Sequence, residues 1–399
     1  MLQLSFAKFT AGSYLLVEGT ETSDRFYIIQ SGKVKCYHEM PVPGTTVKNL
    51  AAGDFVGVIP CMSGHSQTET VVALTEVTAI VVRYDQYPEL IKNNNAIAMK
   101  IIRYFAREMR LLNDTRTKVT LKKSASDTPE ELFNIAEFYN EEGQSNIAAY
   151  GYYQYLKRLP DGAHADAAKK ALVRLKGKSH PVYLESTPDL IRQYPIDSMI
   201  FSDCQYGPDM FIIQEGTVKI TKVVDGQEVI LAMLKKGDMF GEMALLDSKP
   251  RSASAITHSN CTVMVVNASN FNMMVTSQPD FISRLSTMLA DRVWSMYRQL
   301  VNAQLTDSRE RMIDMLALQV ELHKVPYESG APYLTDFTPQ DLVNLSGIEQ
   351  TQQKQAVYML FSDPNIKIKG GKIQIPDVKE LVKQALFYRK AMTRRAAKQ

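Results

Sequence analysis

One internal offset constrains this chain more than any other feature. The segment FYIIQSGKVK at 26–35 aligns with MFIIQEGTVK at 210–219, LAAGDF at 50–55 with LKKGDM at 234–239, and VTAIVV at 77–82 with CTVMVV at 261–266. All three pairs are 184 residues apart. A register held without net insertion or deletion from residue 26 to residue 82 marks a duplicated domain. In the first copy, short β-rich runs at Phe26–Gln30, Lys33–Tyr37, Val71–Ala73 and Thr78–Val82 are broken by glycine-containing turns. Many short strands with frequent turns predict a sandwich or barrel. The expected class is therefore α+β multidomain, with two jelly-roll-type β-barrels joined to helical segments.

The helical segments differ from one another. FISRLSTMLADRVWSMYRQLVNAQL at 281–305 places apolar residues at Leu285, Leu289, Val293, Met296 and Leu300. That spacing makes a single stripe, which predicts a symmetric helix pair with a second copy of the chain and hence a homodimer. Between the copies, residues 128–175 open on Thr128-Pro129 with Glu131 close behind, a helix start. Ala136, Tyr139, Gly143, Ala148, Tyr152, Tyr155 and Pro160 follow at spacings that resemble about one and a half tetratricopeptide repeats. So short an array lacks the stacked neighbours that build a peptide groove. The expectation is a helical linker that spaces the barrels, with a protein docking on it as the alternative.

Composition excludes several classes. With 399 residues, 45% hydrophobic and 22% charged, the chain is long enough for two to four ordinary globular domains. No apolar run reaches the roughly 20 residues of a membrane helix, and MLQLSFAKFT does not read as a secretory signal. Cys36, Cys61, Cys204 and Cys261 are far apart, so free thiols in a cytoplasmic, reducing setting are expected, with no metal site. A net charge of +3 selects no partner. No nucleophile–base set stands out, so an enzyme is not expected.

The least generic stretch is FGEMALLDSKPRSASA, Phe240–Ala255. Gly241, Ala244, Ser252, Ala253 and Ser254 are small enough for backbone to approach a ligand closely. Glu242 can accept hydrogen bonds from sugar hydroxyls, and Arg251 offers a planar fork for two phosphate oxygens. Backbone N–H groups in the turn can add an anion nest. A ribose beside a phosphate satisfies all three. In the first copy the same register puts Val58 in place of Glu242 and Gln67 in place of Arg251, while Gly57 is kept. A phosphate buried there would lack a countercharge, at a cost of several kcal/mol. The first barrel is expected to be a structural or interface copy.

At these residues the sequence resembles the cyclic nucleotide-binding domain family, whose cassette reads F-G-E-x-A-L-L, a short spacer, then P-R-S/T-A. Phe240, Gly241, Glu242, Ala244, Leu245, Leu246, Pro250, Arg251, Ser252 and Ala253 all match. The resemblance implies a cyclic nucleotide, cAMP or cGMP, as ligand and no metal. It places Glu242 on the ribose 2′-hydroxyl and Arg251 and Ser252 on the cyclic phosphate. Backbone N–H groups around Gly241–Met243 and Ser252–Ala253 assist, and Ala244 is counted with the site.

Downstream, DSRERMIDMLAL at 307–318 reads as a helix that Asp307 or Ser308 can cap. Thr338-Pro339 starts a short helix that Gly347 can end, IEQTQQKQAVYMLF at 348–361 is a third, and IKIKGGKIQIP at 366–376 reads as a hairpin about Gly370-Gly371. This order is a winged helix-turn-helix. With the preceding barrel and long helix it resembles the Crp/Fnr family of transcription regulators, which implies a cytoplasmic, ligand-gated dimer on double-stranded DNA. Matching the family's DNA-reading positions gives Gln350, Thr351 and Gln355, beside Lys354, on a third helix whose charges cancel. Phosphate attraction would then come from Lys367, Lys369, Lys372 and the tail RKAMTRRAAK. Where cyclic AMP receptors read adenine with a Thr-Ser pair, this chain has Met296 and Tyr297. The expected organisation is a degenerate barrel at 1–115, the linker at 126–180, the binding barrel at 183–280, the dimerisation helix at 281–305 and the winged helix at 306–399. The competing expectation is a receptor whose winged helix docks a protein and not DNA.

Overall fold

The computed structural model describes residues 4–20, 24–39, 46–121, 128–224, 226–326, 330–335, 337–348 and 351–396. The chain forms two compact units, one of Met1–Lys122 with Gln278–Gln399, the other of Lys123–Ser277.

In the first unit, β1 (Ser5–Phe9), β2 (Tyr14–Leu16), β3 (Arg25–Ser31), β4 (Val34–Tyr37), β5 (Lys48–Leu50), β6 (Phe55–Val56), β7 (Thr70–Ala73) and β8 (Val77–Arg83) make two four-stranded antiparallel sheets. Their orders are β1-β8-β3-β6 and β2-β7-β4-β5. Side chains alternate across a strand, so Val77 and Ala79 of β8 turn inward together and share a core with Ile29, Val34 and Val71. Between β6 and β7 lies α1 (Val58–Ser63), and α2 (Tyr87–Asn93) and α3 (Asn95–Leu121) follow the barrel.

The second unit opens with three helices, α4 (Glu131–Glu141), α5 (Ser145–Arg158) and α6 (Ala165–Leu175). Ala136 and Gly151 let α4 and α5 touch, since a Cβ at 151 would come within 2.8 Å of the Ala136 Cβ. Their core of Tyr139, Ala148, Tyr152 and Tyr155 is continuous with Met199, Cys204 and Ile256 of the second barrel. Tyr139 also donates to Glu228 at 2.8 Å, and Tyr150 to the Ile200 carbonyl at 3.1 Å. That barrel comprises β9 (Ile191–Tyr194), β10 (Met199–Phe201), β11 (Met210–Glu215), β12 (Val218–Val224), β13 (Gln227–Leu234), β14 (Met239–Phe240), β15 (Ser254–Thr257) and β16 (Cys261–Val266). Its sheets run β10-β15-β12-β13 and β14-β11-β16-β9. They enclose α7 (Glu242–Asp247) between β14 and β15, and α8 (Ala268–Ser277) follows. The offset of 184 carries α1 onto α7, β7 onto β15 and the start of β8 onto that of β16.

The remaining elements belong to the first unit: α9 (Pro279–Ala303), α10 (Ser308–Leu322), β17 (Tyr333–Leu334), α11 (Pro339–Leu345), α12 (Gln353–Phe361), β18 (Lys367–Lys369), β19 (Lys372–Ile375) and α13 (Val378–Ala396). Asp307 caps α10 by accepting from the Glu310 N–H at 3.0 Å, and Thr338 and Asp341 form a capping box on α11. The strands pair in the order β17-β19-β18. α13, where sequence reading placed only a basic tail, packs on α10, and their core takes in Leu316, Leu342, Leu360, Ile373, Leu381 and Ala385.

The apolar stripe does not await a second chain. α9 packs along α3 of its own chain, and also against α1 and α2. Leu285, Leu289, Val293 and Leu300 are wholly buried there, and Met296 is half-buried. α3 starts at Asn95, and 184 residues later α9 starts at Pro279. Duplication has thus supplied both partners of a helix pair within one chain. This corrects the expectation of a homodimer through the stripe. Each such leucine contributes roughly 1.5–3 kcal/mol by leaving water, and Leu285, Leu289, Val293 and Leu300 are already covered within the chain.

Candidate functional site

The cassette of the second barrel is built on one turn. Gly241 adopts φ 79°, a left-handed conformation suited to glycine, and caps α7, whose first residue is Glu242. Gly57 repeats this at φ 74° before α1, whose first residue is Val58. The backbone of the cassette therefore persists in the first copy without its charges.

Around this turn the second barrel gathers charge in a nearly water-free place. Glu242 is 3% exposed and Arg251 6% exposed. Arg251 donates from Nη1 to the Gly241 carbonyl at 2.5 Å and from Nη2 to the Asp209 carbonyl at 2.6 Å. Its guanidinium lies over the Phe201 ring, 4.2 Å from the centroid. Its backbone is strapped to the β10–β11 loop, since Arg251 N–H donates to Gln205 O at 2.8 Å and Cys204 N–H to Arg251 O at 3.0 Å. Burial pulls the guanidinium down to about 10, opposed by Asp209, Tyr150 and Glu242, so it remains a cation at neutral pH. Ser252 Oγ rests 3.7 Å from the Met243 sulfur, while Ala244 and Ala253 are buried. The seven expected cassette residues thus fall in two stretches, Gly241–Ala244 at the start of α7 and Arg251–Ala253 just before β15.

The other two expected ligand residues are Met296 and Tyr297. Both are on α9, in the first unit, where the Tyr297 hydroxyl donates to Glu18 at 3.0 Å and its ring stacks on His38 at 4.9 Å. Beside it, Trp294 donates to the Ser66 carbonyl at 3.1 Å and stacks on His65 at 4.0 Å, and Asp291 pairs with His65 at 3.2 Å. Asp291 and Trp294, one turn apart on α9, grip His65 and Ser66, which the offset of 184 matches to Lys249 and Pro250 just before Arg251. The first cassette serves as a seat for α9.

Sequence reasoning missed the residues that hold Arg251. Asp209 stands 184 residues after Arg25, so the copy that lost the cassette arginine also carries a cation in place of this carboxylate. That inversion was a readable signal. The contributions of Tyr150 and Phe201 were not, because they depend on how α5 and β10 pack.

In the C-terminal part, Thr351, Lys354 and Gln355 are exposed at the start of α12. Gln350 lies outside the described residues. Lys367 and Lys369 are exposed on β18, and Lys372 is half-buried on β19. Of the tail, Arg389 is not available to phosphate. It is buried and paired with Asp314 at 3.4 Å, whereas Arg394 and Arg395 are exposed on α13. Among the described residues no cluster of His, Cys, Asp and Glu is placed to hold a metal, and no helix is long and apolar enough to cross a membrane.

Two barrels of this topology, with the Glu–Arg cassette in the second, define a protein built on paired cyclic nucleotide-binding domains. The model of the cyclic nucleotide-binding domain matches residues 6–94 and 191–278. The chain belongs to the Crp-type cyclic nucleotide-binding family. It is 30% identical over 189 residues to the cAMP-activated global transcriptional regulator CRP of Pasteurella multocida, covering 46% of this chain and 89% of that one. It is 26% identical over 194 residues to the CRP-like cAMP-activated global transcriptional regulator of Mycobacterium tuberculosis, covering 48% and 86%. Among solved structures, the c-di-GMP responsive global regulator CLP of Xanthomonas campestris aligns with a TM-score of 0.35 at 20% identity, covering 46% and 92%.

Proposed function

We propose that the protein is a cyclic nucleotide-responsive regulator that holds cAMP or cGMP in its second barrel and acts on double-stranded DNA. The observation that carries this reading is the buried pair Glu242 and Arg251 on the Gly241 turn, absent from an otherwise equivalent turn in the first barrel. Glu242 takes the ribose 2′-hydroxyl. Arg251 and Ser252 take the cyclic phosphate, and backbone N–H groups of Gly241–Ala244 and Ala253 complete the anion nest. The first barrel is a seat for α9, and the tetratricopeptide-like helices α4–α6 brace the second barrel.

The output element is a winged helix: α10, α11, α12 and the hairpin of β18 and β19. Thr351, Gln355 and Gln350 read base edges, and Lys354, Lys367, Lys369 and Lys372 meet phosphates. Because α9 pairs within the chain, each chain presents one such reader. A buried ionic network connects it to α9, for Arg298 pairs with Asp314 at 3.6 Å and with Glu321 at 3.4 Å.

Two measurements test the proposal. Calorimetry with cAMP and with cGMP should find one site per chain, and Arg251→Leu should weaken it at least about tenfold, since charge-assisted bonds are each worth roughly 1.5–3 kcal/mol. Selection from random duplexes, with and without the nucleotide, should enrich a single half-site only in its presence. An intact nucleotide site with no enrichment would replace the DNA reading with protein docking.

A further inference from the structure

A cavity of about 270 Å³ opens between α5 and the β10–β11 loop, within the second unit. Of the cassette residues, Arg251 alone borders it. Its other cations are Lys157 and Arg158 at the end of α5 and Arg192 on β9, and its carboxylates are Glu185 and Asp209. Four cations against two carboxylates leave two positive charges around a space that a small molecule can fill. The walls are also aromatic. Arg158 lies over Tyr206 at 4.7 Å, Arg192 over Tyr183 at 5.6 Å and Arg251 over Phe201 at 4.2 Å.

Two of these arginines are buried and keep donor capacity beside the cavity. Arg192 and Arg251 are each 6% exposed. Arg192 donates from Nη2 to the Thr187 carbonyl at 3.0 Å and faces Asp209 at 3.8 Å. Both leave a buried Nε–H without an acceptor. A buried unpaired donor on a cation is costly, and two beside one cavity point to a ligand that supplies acceptors.

We propose that this cavity is a second anion site, for a phosphate monoester with a small aromatic body. A dianion matches the two excess charges. Two guanidinium groups suit phosphate oxygens, and the tyrosines and Phe201 take the apolar body. The site shares Arg251 with the cassette. Two anions held on one guanidinium repel, so the phosphate ester and the cyclic nucleotide antagonise each other, a consequence that rests on the cyclic nucleotide reading above.

The test uses the full chain and phenyl phosphate as probe, with inorganic phosphate and phenylacetate as comparison. Calorimetry at low salt should show one phenyl phosphate site per chain, with weaker binding of both comparison ligands. Arg192→Gln should weaken it about tenfold or more, and so should Arg158→Glu, a change at an exposed position that leaves the core intact. Saturating phenyl phosphate should weaken cyclic nucleotide binding at least about fivefold in the wild type and much less in Arg192→Gln. Phenyl phosphate binding that survives both substitutions would place the probe in the cassette and overturn the proposal, as would no binding at all. Should the chain bind no cyclic nucleotide, the Arg192 and Arg158 dependence still decides this site by itself.

Discussion

The Tyr297 hydroxyl donates to Glu18 at 3.0 Å, joining the middle of α9 to the loop after β2 of the first barrel. Burial raises Glu18 above the usual carboxylate range and lowers the stacked His38, which favours the neutral form of each group. Tyr297, which the sequence matches to the family's base-reading pair, makes this bond within the first unit. Tyr297→Phe should destabilise the first unit by about 1 kcal/mol, the worth of one hydrogen bond, and lower its thermal midpoint by a few degrees. Nucleotide affinity, read by calorimetry, should be unchanged. A large loss of affinity would return Tyr297 to the ligand.

Leu289 on α9 faces α3 of the same chain and is wholly buried. Leu289→Asp should therefore cost at least about 3 kcal/mol in urea unfolding, because it buries a charge where a leucine packed. Light scattering should find the same association state before and after the change. A stable variant that dissociates from dimer to monomer would restore the intermolecular pairing.

Asp314 is fully buried between two arginines, Arg298 of α9 and Arg389 of α13. It also accepts from Asn302 Nδ2 at 3.0 Å. Asp314→Ala would leave both guanidiniums with Glu321 as shared partner, and a broken buried pair costs about 3–5 kcal/mol. Differential scanning calorimetry should show the loss, and the double change Asp314→Ala with Arg389→Met should recover part of it.

Glu69 makes stability depend on pH. Burial raises its carboxyl to about 7, helped by Glu108 and opposed by Lys48. The folded chain then holds a proton that the unfolded chain releases near 4.5. Stability from this group is fully present below about pH 4.5 and is lost as pH rises through about 7, by on the order of 1–3 kcal/mol. Glu69→Gln should flatten the unfolding free energy over that window. An unchanged slope would assign the effect to another group.

The duplication, the strand-rich barrels and the one charged cassette were legible because each depends on residues close in sequence. Gly241, Glu242 and Arg251 lie within eleven positions, and a turn brings them together whatever surrounds it. The hairpin about Gly370-Gly371 and the caps at Asp307 and Thr338 were legible for the same reason. The partner of α9 was not. A stripe of Leu285, Leu289, Val293 and Leu300 specifies a complementary apolar ridge, and α3 of the same chain and α9 of another copy answer that description equally well. Chain connectivity and the shape of the first barrel decided between them, seating Trp294 against Ser66 and Tyr297 against Glu18. The grouping of Arg192, Arg158 and Arg251 about one cavity likewise arises from helix α5 docking on a barrel. Contacts between residues far apart in sequence depend on packed surfaces, and only the tertiary structure fixes those.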